Sequence, residues 1–335
     1  MHRLSLLLVC ACVLTAASRL NTMGKPFYLL EEAEKHFNAF IDKFNRSYTS
    51  ETEKKARLEI FKTNLERINR KNMNPEEDAI FDITMFADLS VQEFIQQYTG
   101  LGTSLHVPGH RVNVSGPVTK DPPENFDWRD HNAVTPVKNQ ENCVASWAFS
   151  VTGTIEGAYA RKHSSLIAVS AQQLVDCDYG NDGCRGGYTT DALHYLQNAG
   201  GIESEESYPY IADEESCKFD PKKIAVKITG QKKYDLFSLM DEEDLRQILI
   251  SDGPMSIVVD GSSMQLYDGG ILHYCNHINL NSQVLLVGYG KNKIPYWTIK
   301  NSWGSSWGEE GYIRVKRGKN PCGLFNRLAV TAIVD

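Results

Sequence analysis

The sequence predicts an α+β fold, a helical portion followed by a strand-rich portion. Three observations carry this. Residues 26 to about 100 are rich in charge, and Phe37, Phe40, Ile41 and Phe44 fall on one helical face. After a polar loop, Val151, Ile155 and Tyr159 recur at helical spacing, so a helix starts near Ser146. From Met255 onward the pattern changes. Met255 to Asp260, Val284 to Tyr289, Tyr296 to Lys300 and Gly311 to Lys316 are apolar or alternating runs bounded by Gly, Asn and Pro. They read as strands of a sheet or a barrel. The 335 residues allow about two domains, and the 41% hydrophobic content can build a core.

The chain opens as a secretory signal. His2 and Arg3 are basic, Leu4 to Thr15 is apolar, and Ala16-Ala17-Ser18 offers small residues for cleavage. Residues 1–18 are therefore expected to be removed. The apolar run is too short to span a bilayer, and no later stretch approaches the roughly 20 residues required. The expected location is the secretory pathway, ending outside the cell or in the lysosome. A formal charge of −7 argues against a nucleic-acid partner. Cys10 and Cys12 leave with the signal. Cys143, Cys177, Cys184, Cys217, Cys275 and Cys322 remain. An even count in an oxidising compartment predicts disulfides and no free thiol, with the pairing left open by spacing alone.

The next helix carries Glu53, Arg57, Phe61, Asn64, Ile68 and Asn72. Phe61 and Ile68 are expected inside, and Glu53 and Arg57 could pair at i,i+4. Asp82 to Asp88 follows, then a linker from about 101 to 121 without periodicity. Asn45-Arg46-Ser47 and Asn113-Val114-Ser115 are glycosylation acceptor patterns. Ser170 to Gln173 has capping-box spacing and opens another helix. Gly183-Cys184-Arg185-Gly186-Gly187 is a turn, and Thr190 to Ala199 is a helix stopped by Gly200-Gly201. His273 and His277 flank Cys275, but Cys275 is expected in a disulfide. No metal site and no cofactor are predicted.

Several of these segments resemble the papain and cathepsin family of cysteine proteases. The stretch from Gln140 to Phe149 resembles the family's Q-G-x-C-G-[SA]-C-W-A-F. It keeps Gln140, Cys143, Ala145, Trp147, Ala148 and Phe149. Ser146 stands where the resemblance expects the nucleophilic cysteine, and Glu141 and Val144 stand where it expects glycines. Glu53 to Asn72 matches the E-x3-R-x3-F-x2-N-x3-I-x3-N pattern of cathepsin L-like propeptides at every position. Asp82 to Asp88 keeps only Phe86 and Asp88 of the G-x-N-x-F-x-D element. Leu280 to Gly290 resembles the histidine motif L-N-H-A-V-x-x-V-G-Y-G, with Ser282 in the histidine slot and Gln283 in the alanine slot. Lys300-Asn301-Ser302-Trp303-Gly304 is the K-N-S-W-G element. The texture is cathepsin L- and F-like, and similar to the viral cathepsins.

The resemblance implies a papain-like fold, with a helical half and a β-barrel-like half facing each other across a cleft. A helical propeptide precedes it: residues 19–121, with an inhibitor-like region of about 33–95, ahead of a peptidase domain over 122–335. It implies disulfides Cys143–Cys184, Cys177–Cys217 and Cys275–Cys322. It places Gln140, Ser146, Ser282 and Asn301 at the catalytic positions. Trp147, Gly186, Gly187, Tyr188, Thr189 and Trp303 fall to the cleft, where Tyr188 and Thr189 would line a specificity pocket. A plain tight turn is the other reading of Gly183 to Gly187.

A serine hydroxyl is a weak nucleophile without an adjacent base, and Ser282 cannot be that base near neutral pH. General-base help is worth about 10²–10⁴-fold. The carboxylate of Glu141 beside Gln140 would oppose a developing oxyanion. Val144 is expected to resist a positive-φ turn. The sequence thus predicts an inactive cathepsin-like protein that binds peptides, proteins or cystatin-like inhibitors through a retained cleft, with its own propeptide as a partner. The alternative is a hydrolase with altered, serine-based chemistry.

Overall fold

The computed structural model describes residues 19–100, 122–236, 242–275, 280–318, 320, 322–324 and 328–335. The signal segment, the linker with Asn113, and His277 lie outside the described residues.

Among the described residues there are seven α-helices: α1 Ala33–Lys43, α2 Glu51–Asn72, α3 Val91–Tyr98, α4 Ser146–His163, α5 Ala171–Cys177, α6 Thr189–Ala199 and α7 Glu242–Asp252. Their ends follow side-chain chemistry. Ser50 and Ser90 accept from the backbone N–H of Glu53 and Glu93, and Glu93 completes a capping box at α3. Ser170 accepts from Gln173 N–H, while the Gln173 carboxamide oxygen accepts instead from Glu203 N–H at 2.8 Å. Gly200, at φ 88°, ends α6 in the left-handed region.

The α1 and α2 faces meet through Phe37, Phe40 and Phe61, with ring centroids 5.3 Å apart for each pair with Phe61. Two asparagines of α2 bind the strand of chain that follows. Asn64 donates to the carbonyls of Ala87 and Leu89 at 2.7 and 2.8 Å. Asn72 both donates to and accepts from Phe81. These bonds satisfy buried backbone groups and hold an irregular segment in place. Glu53 and Arg57 do not form the expected pair. Glu53 accepts from Thr49 N–H at 2.7 Å, and Arg57 reaches across to Glu93 at 2.9 Å. The long arginine stem finds a half-buried carboxylate on α3, which is drier and stronger than an exposed i,i+4 partner.

The strands form a mixed sheet. Its path runs Ile271–Leu272, Tyr312–Lys316, Pro295–Lys300, Ser282–Lys291, Met255–Val259, Leu328–Val334, Ile228–Asp235, and Phe126–Asp127 pairs beside Ser282–Lys291. All four predicted strands are present. The path has two free ends among the described residues, so it is an open sheet and not a closed barrel. One end strand is only two residues long, and α6 packs against the other.

Helix α4 is apolar or small nearly all round and is buried along most of its length. It lies on Met255–Val259, Ser282–Lys291 and Leu328–Val334. Two glycines permit the approach. A Cβ on Gly153 would stand 2.6 Å from Leu285, and one on Gly157 would stand 2.6 Å from Pro254. The helical half has its own core on α4, α5 and α6. The α1 to α3 region shares a core with the sheet.

Candidate functional site

The site forms where the start of α4 faces the start of strand Ser282–Lys291. Ser146 is the first residue of α4 and is wholly buried. Ala145 provides no side-chain cap, and the first turn carries no acidic residue, so the positive helix end is left open. Ser282 is equally buried. Asn301 accepts from Ser302 N–H at 2.9 Å through its side-chain oxygen. The Ser146 Oγ, the Ser282 Oγ and the Asn301 Nδ2 have no hydrogen-bond partner among the described residues. Ser146 and Asn301 line one buried cavity, and orphaned polar atoms there are unusual, because such groups ordinarily find partners.

Gln140 is fully engaged. It accepts from the Ser302 hydroxyl at 2.8 Å and donates to the carbonyls of Cys143 at 3.1 Å and Tyr98 at 3.3 Å. Trp303 donates to the same Tyr98 carbonyl at 3.4 Å. Its indole also packs edge-on to Phe86 and Phe94, at 5.5 and 5.1 Å. The end of α3 and Gly100 thus lie across Gln140, Trp303 and Val144.

Trp147 is completely buried, donates to the Gly183 carbonyl at 3.2 Å and packs against Gly187, supporting the turn from beneath. A side chain one position after Ser146 points into the helical core. Gly186, at φ 122°, bends the turn. Tyr188 is half-buried, and its N–H donates to Asn181 at 2.7 Å. Thr189 is buried against Gln283 and Ser256.

The two glycine slots differ from expectation. Glu141 adopts φ 52°, so the left-handed position is there. Val144 is not among the residues with positive φ, so its β-branch meets no backbone strain. The Glu141 side chain is exposed, where water screens its charge.

Behind Ser146 lies a cavity of about 20 Å³ lined by Glu156, Gln283, Lys300 and Asn301 among others. Lys300 donates to the Thr135 hydroxyl at 3.0 Å, and Thr135 donates to Glu156 at 2.7 Å. Burial pushes the Lys300 ammonium down to about 8, against the pull of Glu156.

Disulfides join Cys143–Cys184, Cys177–Cys217 and Cys275–Cys322, with Cα separations of 4.5, 4.8 and 4.8 Å. The first ties the loop before Ser146 to the glycine turn. His273 lies 2.8 Å from Asp78, and no group of three potential ligands gathers around a point among the described residues. Asn45 sits exposed at φ 49° just after α1.

Residues 122–332 match the papain family cysteine proteases. The chain belongs to that family. Residues 37–94 match the cathepsin propeptide inhibitor domain, so this papain-family chain carries its propeptide region. It is 41% identical to a viral cathepsin of Adoxophyes honmai nucleopolyhedrovirus, covering 99% of this chain and 100% of the relative. It is 42% identical to one of Mamestra configurata nucleopolyhedrovirus, covering 98% of each. Among solved structures it resembles a digestive procathepsin L2 proteinase from Tenebrio molitor larval midgut. The identity is 32% and the TM-score 0.81, with 90% of this chain and 99% of the other covered. The recombinant stem bromelain precursor is as near, at 32% identity and TM-score 0.80, over 90% and 99%.

The papain-family domain and its propeptide are joined by residues that sequence reading missed. Gln265 donates to the carbonyls of Phe86 and Leu89 at 3.0 and 2.8 Å and accepts from Arg67 at 2.8 Å. Glu77 accepts from the backbone N–H of His273 and Tyr274 at 2.8 and 3.1 Å. Strand Ile80–Phe81 pairs with Tyr267–Gly269. A lone glutamine and a two-residue strand leave no periodic signal, so only the fold reveals them.

Proposed function

We propose that this chain is a catalytically inactive cathepsin-like protein of the secretory pathway that holds an extended peptide segment in its cleft. One observation carries the reading. Ser146 and Ser282 stand at the nucleophile and base positions implied by the family resemblance, and neither hydroxyl has a hydrogen-bond partner among the described residues. A serine without a base in reach is a weak nucleophile. The scaffold around them is kept: Gln140 still points a donor at a main-chain carbonyl, that of Tyr98. A peptide, a protein loop or a cystatin-like inhibitor would replace the propeptide there.

The test cuts the full chain in the 101–121 linker with an added protease, which is then inactivated. Turnover of a peptide reporter and saturable binding of short labelled peptides are both measured. The expected result is binding with no turnover above buffer. Turnover that disappears in Ser146→Ala overturns inactivity, and absence of any binding overturns the cleft's role.

A second reading keeps serine chemistry. Lys300 shares the cavity behind Ser146 and has a lowered proton affinity. Its bond to Thr135 points it away from that duty. Any turnover found should then be lost in Lys300→Met.

A further inference from the structure

We infer that Gln283 is a built-in stopper of the specificity pocket, so that the bound peptide carries glycine or alanine, and not a bulky apolar residue, where it faces Thr189. This rests on the peptide-binding reading above and names the ligand class.

Ser282 and Gln283 are consecutive in a strand, so they point to opposite faces. Ser282 faces Gly261, where a Cβ would stand 3.1 Å from it. Gln283 faces the glycine turn and is almost wholly buried. Its side-chain oxygen accepts from Thr189 N–H at 2.9 Å and from the Thr189 hydroxyl. Its amide donates to the Gly187 carbonyl. The Thr189 hydroxyl is 2.7 Å from that of Ser256, which is 2.7 Å from that of Ser150. Ser150 donates onward to the Val284 carbonyl at 2.9 Å. Gln283, Thr189, Ser256 and Ser150 therefore form a continuous polar chain from the glycine turn to α4.

The stopper is held in place by the end of a helix. Thr189 opens α6, and the preceding residue Tyr188 offers no side-chain cap. Gln283 supplies the missing acceptor at the positive end of that helix. Swinging it aside for a leucine or phenylalanine would orphan the buried Thr189 N–H and strip the Gly187 carbonyl of its side-chain donor together. A small side chain requires no such movement. The Gly187 carbonyl retains a second lone pair, so a peptide main chain can still pair with the turn.

The test uses the full chain, wild type and Gln283→Ala, nicked in the linker as above. Short labelled peptides carry alanine throughout or leucine at one position in turn. At one position leucine should weaken wild-type binding by about tenfold or more, and Gln283→Ala should abolish that penalty at the same position. A wild type that prefers leucine at every position, or a penalty that Gln283→Ala leaves in place, overturns the stopper. If no peptide binds either protein, the peptide-binding reading has failed on its own account. The stopper is then decided by NMR on the uncut wild-type chain. Its Gln283 side-chain amide protons should exchange with solvent at least about 100-fold more slowly than those of free glutamine. Exchange at the free rate overturns it.

Discussion

The side-chain amide of Gln140 donates to the main-chain carbonyl of Tyr98 at 3.3 Å. The last residue of α3 therefore caps a donor that would otherwise point into an empty cleft. Gln140→Ala removes that donor along with the bonds to Cys143 and Ser302. The carbonyls of Tyr98 and Cys143 would keep Trp303 and the Ala145 N–H as donors, but the buried Ser302 hydroxyl would lose its acceptor, at a cost of about 1–3 kcal/mol. Urea unfolding of the full chain should show the loss. An unchanged midpoint would show that the contact holds nothing.

Thiol reagents should add no mass to the native chain from residue 19 onward. The six cysteines of that part are paired in three disulfides, and Ser146 offers no thiolate. Iodoacetamide on unreduced protein, followed by intact-mass measurement, checks this. One stoichiometric adduct contradicts it.

Acid alone should leave the chain at propeptide-bearing length. Self-removal of the propeptide needs a nucleophile and a base, and the site presents two unpartnered serine hydroxyls. Gel mobility after incubation at about the ordinary carboxylate pKa, near 4, is the readout. Shortening that Ser146→Ala prevents would reveal a surviving route.

Restoring the chemistry should be strongly non-additive. Ser146→Cys lacks a base and Ser282→His lacks a good nucleophile, so each alone should give little, while both together give epoxide-sensitive peptidase activity. Glu141→Gly should then add about 1 kcal/mol of stability by freeing a left-handed position. Val144→Gly should not help the backbone, because Val144 has no positive φ to relieve. Rates on a peptide substrate, after cutting by an outside protease, compare the forms. A folded but inert double variant would mean the cleft itself has diverged.

Alkaline pH should stabilise the fold through Lys300. Burial lowers this amine to about 8 in the folded state, from 10.5. Between those values the folded chain gives up the proton while the unfolded chain keeps it, so stability rises with pH. Below about 8 both states are protonated and the contribution is flat. Urea midpoints at pH 8 and 9.5 should therefore rise more in wild type than in Lys300→Met. Equal slopes would place the lysine in a wetter setting.

Much of this was legible in the residues, and the failures have physical causes. The start of α4 at Ser146 and the four strands showed through because apolar periodicity records burial directly. Two asparagines of α2 carried their meaning in a motif, and the structure supplies the reason: they hold backbone that has no ladder of its own. Arg57 was misread because an i,i+4 neighbour is visible in sequence and a partner 36 residues away is not. A motif names Trp147 without saying which way it points; its bond to the Gly183 carbonyl is visible only in the fold. Gln283 stood out only as a departure from alanine; its role needed three partners drawn from the glycine turn and α6.

Val144 and Gly100 are in contact, and a Cβ at position 100 would collide with the Val144 Cγ1. The chain can lie this close to Val144 only because residue 100 carries no side chain. Adding one methyl, as in Gly100→Ala, would lift the end of the propeptide region off Val144 or force the valine to turn, so the fit between the two parts of the chain is set here by an atom that is missing.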